Sequence, residues 1–208
     1  MTEKTELIIR NARLRRRAEG PVDIGIAQGR ITAIGGKLAA RAEVEIDAQG
    51  NLVTESFVNP HLHLCKVYTL RMMQEDALRA YQGEGMGEAM AAIELAARVK
   101  EKYDESWIIE NVRRALAQAV LHGCTHVRGF ADVDSKARLE GVKALLRARV
   151  EFAGVLQLQV VAFAQDGIVR EPAAAGLLAQ ALELGADVVG GIPWIEYTEG
   201  DKIGRAHV

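Results

Sequence analysis

The chain has 208 residues, 49% hydrophobic and 26% charged, with a net charge of -2. That balance argues against a nucleic-acid binder, which is normally strongly basic. No apolar run approaches the ~20 residues needed to span a bilayer. MTEKTELIIRN also lacks the apolar core of a signal peptide, and two cysteines, Cys65 and Cys124, cannot build a disulfide framework. The expected setting is reducing and cytoplasmic, with neither nucleic acid nor membrane as partner.

The first fifty-odd residues read as short strands. ELIIRNARL, VDIGIAQGRITAIG and AEVEIDAQGNLV are rich in Ile and Val and broken by Gly, Asp and Asn. They predict a small β-sandwich over 1–55, too small to bury a full core alone. The basic run Arg13 to Arg17 reads as a solvated hairpin tip.

From Phe57 the pattern changes. FVNPHLHL is strand-like, and GMGEAMAAIELAARVKEKY is helical in composition. DESWIIENVRRALAQAVLHG is a better helix, with Asp104 to cap it and His122-Gly123 to end it. Strands and helices then alternate. THVRGFADV, LQLQVVAFA and ADVVGGIPW are strands, separated by helices in SKARLEGVKALLRARVEF and EPAAAGLLAQALELG. The strands start about 30 residues apart, the length of one βα unit. Continuous apolar strands between amphipathic helices predict a parallel sheet covered on both faces. That sheet is either an open doubly wound one or part of a closed barrel of eight strands.

The chemistry-bearing stretch is NPHLHLCK, residues 59 to 66. On a strand, His61 and His63 project to one face. Imidazoles so paired suit zinc, iron and related metals, and two core or surface histidines are the alternative reading. The remaining histidines do not complete a site. His122 suits a helix C-terminus, His126 sits at the start of a strand, and His207 lies in the tail.

A small β-sandwich, a strand reading FVNPHLHL and successive βα units resemble the amidohydrolase superfamily, in particular cytosine deaminases and N-isopropylammelide hydrolases. HVRGFADVD, LQVVAFAQDGI and GADVVGGIPWIE are similar to that group's second, third and fourth barrel strands. The resemblance implies an α/β fold, a (β/α)8 TIM-type barrel truncated after about four strands, with barrel residues 56–202. It implies one divalent metal, zinc or iron, held first by His61 and His63. The segment VVGGIPWIE lacks the lysine of two-metal relatives, which favours one metal. Gln165 inherits contact with a heterocyclic small-molecule substrate, and its amide offers both a donor and an acceptor. Trp194 stands where deaminases have a histidine, Phe130 replaces another, and Cys65 replaces an aspartate or similar residue, so cytosine itself is less certain than an N-alkylated or more apolar heterocycle.

By resemblance, the reaction is hydrolysis of a non-peptide C–N bond of a cyclic amidine or amide. A homo-oligomer is expected for the intact protein. Residues 203–208, IGRAHV, resemble the translation of a sequencing-library adapter. The expectation is therefore a fragment, inactive alone, whose general acid/base lies in a missing half. A pseudoenzyme or non-catalytic truncated product is the reading from another class.

Overall fold

The computed structural model describes residues 5–17, 20–72 and 98–196, with Arg71 and Trp194 described in backbone only. The chain divides into two compact units, Met1–Ser56 and Phe57–Val208. Residues 203–208 and most of the predicted helix over 85–103 lie outside the described residues; of that helix, 98–100 are helical.

The first unit is a five-stranded sheet of β1 (Leu7–Leu14), β2 (Val22–Ala27), β3 (Arg30–Gly35), β4 (Val44–Asp47) and β5 (Leu52–Val53). The path runs β3-β2-β1-β4, with β5 beside β1. Among the described residues these strands are joined through β1, which serves two partners. Its first half pairs in parallel with β4 and its last two residues with β5. The pairing with β2 slips between Ile9 and Ala12, at the left-handed Asn11. Ala12, Val22 and Ile24 form a small core. Beside it, Asp23 takes Arg10 Nη1 at 2.7 Å and the backbone N–H groups of Asn11 and Leu38 at 3.2 and 3.0 Å.

The second unit holds four parallel strands, β6 (Phe57–Leu62), β7 (Cys124–Asp132), β8 (Gln157–Ala164) and β9 (Val188–Gly191), in consecutive order. Its helices are α1 (Glu105–Leu121), α2 (Glu140–Glu151) and α3 (Ala173–Glu183). Ile108, Val112 and Leu116 of α1 are buried, as are Val142, Leu145 and Ala148 of α2 and Leu178 and Ala181 of α3. These stripes recur at helical spacing and share one core with Val127 and Ala131 of β7 and Leu158, Val160 and Ala162 of β8. Among the described residues the helices therefore cover one face of the sheet rather than both. The other face carries Phe130, Val161 and Phe163. Consecutive order with one helix-covered face is the pattern of a barrel wall, whereas a doubly wound sheet reverses its strand order.

Helix ends follow local chemistry. Asp104 caps α1 by accepting the Ser106 N–H at 2.9 Å. His122 is the C-cap, and Gly123 follows in the left-handed region at φ +81°. Helix α2 begins five residues later than the expected Ser135. The reason is that Asp134 Oδ1 captures the N–H groups of Lys136 and Ala137 at 2.9 and 2.7 Å, and Arg138 has φ +52°. That turn is incompatible with continuous helix. No helix among the described residues is long and apolar enough to cross a membrane.

Candidate active site at the carboxyl ends of the strands

His61 is the penultimate residue of β6, and His63 is the residue just beyond the strand. Asn59 Oδ1 accepts the His61 N–H at 3.2 Å, steadying the bend around Pro60. The two rings come together with centroids 5.1 Å apart. Phe130 lies against both, at 4.2 Å from His61 and 5.3 Å from His63, and Phe163 meets His63 edge-on at 5.2 Å. The paired imidazoles thus sit on an apolar aromatic floor at the strands' carboxyl ends.

Behind His63 stands Asp132, the last residue of β7 and 0% exposed. Its Oδ1 is 3.5 Å from His63 Nδ1, and its Oδ2 is 2.9 Å from Lys66 Nζ and 3.7 Å from Lys100 Nζ. His63 Nδ1 and both Asp132 oxygens are buried without an aligned hydrogen bond among the described residues, so charge and proximity hold them together. Burial alone would push the Asp132 carboxyl up. Adjacent His63 and the Lys66 and Lys100 ammoniums outweigh that and hold it far below the usual carboxylate range.

Lys66 also donates to Gln165 Oε1 at 3.0 Å, spanning from the short 3-10 turn after β6 to the loop after β8. Gln165 is therefore brought to the same end of the sheet as His61 and His63. Trp194 lies in the turn Pro193–Ile195 after β9, and its side chain is outside the described residues. His122 and His126 lie at the opposite ends of their elements: His122 caps α1, and exposed His126 contacts Thr125 Oγ1 at 2.9 Å.

Cys65 has a packing role. It is 1% exposed, and its sulfur accepts the Asp132 N–H at 3.3 Å. Burial, with the Asp132 charge, pushes its thiol up to about 12. A thiol so held is neutral at physiological pH and a poor nucleophile.

Sequence reasoning missed Asp132, Lys100 and Glu196. Asp132 had a local signal, a carboxylate ending an apolar strand at the same sheet end as the histidines. Glu196, 7% exposed, accepts N–H groups of the loop after β8: Ile168 at 2.6 Å, Val169 at 3.2 and 3.3 Å, and Arg170 at 3.3 Å. Gly167, at φ +88°, makes room for it, since a Cβ there would lie 2.7 Å from Glu196 Oε2.

The donor set bears on whether a metal fits. A ligating imidazole commonly has its second nitrogen backed by a carboxylate, and Asp132 stands at Nδ1 of His63, which leaves Nε2 for a cation. Two neighbouring imidazoles so arranged fit part of a metal site. No cluster of three or more His, Cys, Asp or Glu suited to a metal occurs among the described residues.

Comparison with known proteins agrees with this fold. Residues 44–201 match the model of the amidohydrolase family. The chain is 35% identical over 194 residues to N-isopropylammelide isopropyl amidohydrolase of Pseudomonas sp. (strain ADP), covering 92% of this chain and 46% of that protein. It spans about half the length of the curated relative. Among solved structures, 5-methylcytosine deaminase from Klebsiella pneumoniae matches with TM-score 0.77 and 30% identity, over 95% of this chain and 46% of that one. N-isopropylammelide isopropylaminohydrolase from Burkholderia multivorans matches with TM-score 0.64 and 30% identity, over 90% and 45%. A strand-end histidine pair on a consecutive parallel sheet, matched by a family model across most of its length, makes this chain a member of the amidohydrolase family.

Proposed function

We propose that the intact protein hydrolyses an exocyclic C–N bond on a nitrogen heterocycle, and that this chain contributes the first half of the barrel and the first half of the site. The observation carrying the proposal is the convergence of His61, His63 and Gln165 at one end of the sheet, with Asp132 behind His63 and Lys66 tying Gln165 in. His61 and His63 would hold one divalent ion, zinc or iron. Such an ion lowers the pKa of a bound water and so makes hydroxide available at neutral pH.

The chain's own residues do the rest of the work assigned here. Asp132 orients His63. Lys66 occupies the Gln165 carbonyl oxygen, which leaves the Gln165 NH2 to donate to a ring acceptor. Phe130 and Phe163 present an apolar wall beside the imidazoles. Trp194 is assigned to substrate contact from its place after β9. The proton-shuttling carboxylate belongs to the part of the protein not included in these residues. The 208-residue chain alone is accordingly assigned no turnover, with 203–208 as adapter translation and an oligomer only for the intact protein.

Two substrate readings follow. The aromatic wall, together with 35% identity to an N-isopropylammelide hydrolase, supports a heterocycle carrying an N-alkyl amine. Identity of 30% to a 5-methylcytosine deaminase supports an aminopyrimidine. Equilibrium dialysis of the chain against zinc tests the ligand assignment: binding should fall in His61→Ala and in His63→Ala. Zinc binding unaltered by both would refute it. Extending the gene downstream tests the rest. A continuation lacking strand-end His, Glu and Asp would favour a non-catalytic product.

A further inference from the structure

We infer that Lys100 is a positioning residue for this site, acting through the Asp132 carboxylate that backs His63. Lys100 belongs to no strand of the sheet. It comes from the helical residues 98–100 that precede α1, yet its side chain is only 5% exposed. Its ammonium meets carboxylates from three places at once: Asp134 Oδ2 at 2.8 Å, Asp166 Oδ2 at 2.9 Å and Asp132 Oδ2 at 3.7 Å.

Each of these carboxylates has a second engagement. Asp132 faces His63 Nδ1 and Lys66. Asp134 uses its other oxygen to fix the turn at Lys136 and Ala137. Asp166 is the chain neighbour of Gln165 in the loop after β8. Three carboxylates gathered at one end of a sheet repel one another, and Asp132 and Asp134 are almost sealed from water. Lys66 reaches only Asp132 among the three. Lys100 is the cation that lets all three stay in place.

A buried ion cluster adds little net stability compared with apolar packing of the same volume. What it supplies here is geometry. Lys66 at 2.9 Å and Lys100 at 3.7 Å both draw the Asp132 oxygen that is not turned to His63, and Lys100, anchored on Asp134 and Asp166, supplies the second of these charges, so the other oxygen stays turned toward Nδ1. An imidazole backed in this way keeps its proton on Nδ1 and presents Nε2 forward. The functional consequence rests on the reading of His63 as a ligand, but the geometry does not, so the test is made without metal.

The experiment is ring 15N–1H correlation spectroscopy on the full chain labelled at histidine, metal-free and at neutral pH. Wild type is expected to show His63 as a single Nδ1–H tautomer. Lys100→Met should lose that single pattern, with both tautomers populated, while backbone amides of α1 and α2 stay in place. Lys100→Arg restores the charge and should return the His63 signal toward wild type. Should Lys100→Met fail to fold, Lys100→Met combined with Asp134→Asn removes one charge of each sign, and the His63 ring is read in that variant with the same expectation. A folded variant lacking Lys100 whose His63 pattern equals wild type overturns the inference. A purely structural lysine would lower stability without changing the ring in the folded variant. Failure of the chain to bind zinc, by contrast, would count only against the ligand assignment.

Discussion

Glu196→Ala should loosen the loop that carries Gln165, and the structure sets the size of the effect. The carboxylate accepts one short bond, from Ile168 N–H at 2.6 Å, and three longer ones at 3.2 to 3.3 Å from Val169 and Arg170. A hydrogen bond to a charged group contributes about 1.5–3 kcal/mol net. The three longer contacts are weaker, and Val169 shares its N–H between two oxygens. Of the residues freed, Ile168 and Val169 are half-buried and Arg170 is exposed, so water replaces part of what is lost. The expected total is about 2–3 kcal/mol. At about 1.4 kcal/mol per tenfold, amide exchange at residues 168 to 170 should accelerate by roughly 30- to 150-fold. Hydrogen exchange with mass-spectrometric or NMR readout measures this directly, with α2 as an internal control. Gly167→Ala makes the converse perturbation. Its φ of +88° costs an L-residue about 1–2 kcal/mol, and the new Cβ crowds Glu196 Oε2. Combining the two substitutions relieves that crowding, so the double variant should lose less than the sum by about 0.5 kcal/mol or more. Exchange at 168–170 changed by less than about 0.5 kcal/mol in Glu196→Ala would refute the reasoning.

Three further outcomes are expected. Gly129→Ala would place a Cβ 2.6 Å from Leu64 Cδ1 and 3.0 Å from Leu145 Cδ2, so it should cost about 1–3 kcal/mol in urea unfolding; an unchanged midpoint would show that the leucines move aside freely. For Asp23, burial raises the carboxyl, but the Arg10 hydrogen bond and the Leu38 and Asn11 N–H groups hold it below its ordinary value. Because the folded value is the lower one, this stabilisation is present above about pH 4 and is lost as pH falls through the folded value. Amide protection factors in β1 and β2, with the intrinsic pH dependence of exchange divided out, should fall on acidification below pH ~4, and less so in Asp23→Asn. Finally, Cys65, buried with its thiol pushed up to about 12, should resist iodoacetamide in the native chain while half-buried Cys124 reacts first; peptide mapping with equal labelling of both would contradict the packing role given to Cys65.

Much of the architecture was legible in local patterns. Asp104 and Gly123 marked the ends of α1 because a side-chain cap and a left-handed residue act within one turn. The turn that delays α2 was less legible. It depends on Asp134 choosing the local N–H groups of Lys136 and Ala137 over helix, a competition that composition alone does not decide. The two-partner behaviour of β1 was hidden too, because register and pairing depend on strands more than thirty residues away.

The same division runs through the site. That His61 and His63 share a face follows from their spacing, since side chains two apart on extended backbone must point the same way. The repeated βα units that put those residues at a strand's carboxyl end follow from local patterning as well. What surrounds the two rings depends on how the strands and helices pack. Asp132 behind His63, Lys66 on Gln165 and Lys100 among three aspartates are contacts between residues up to 99 positions apart. Periodicity encodes which face a side chain takes, whereas a charge finds its partner only once the strands are laid side by side and burial makes an unpaired ion costly.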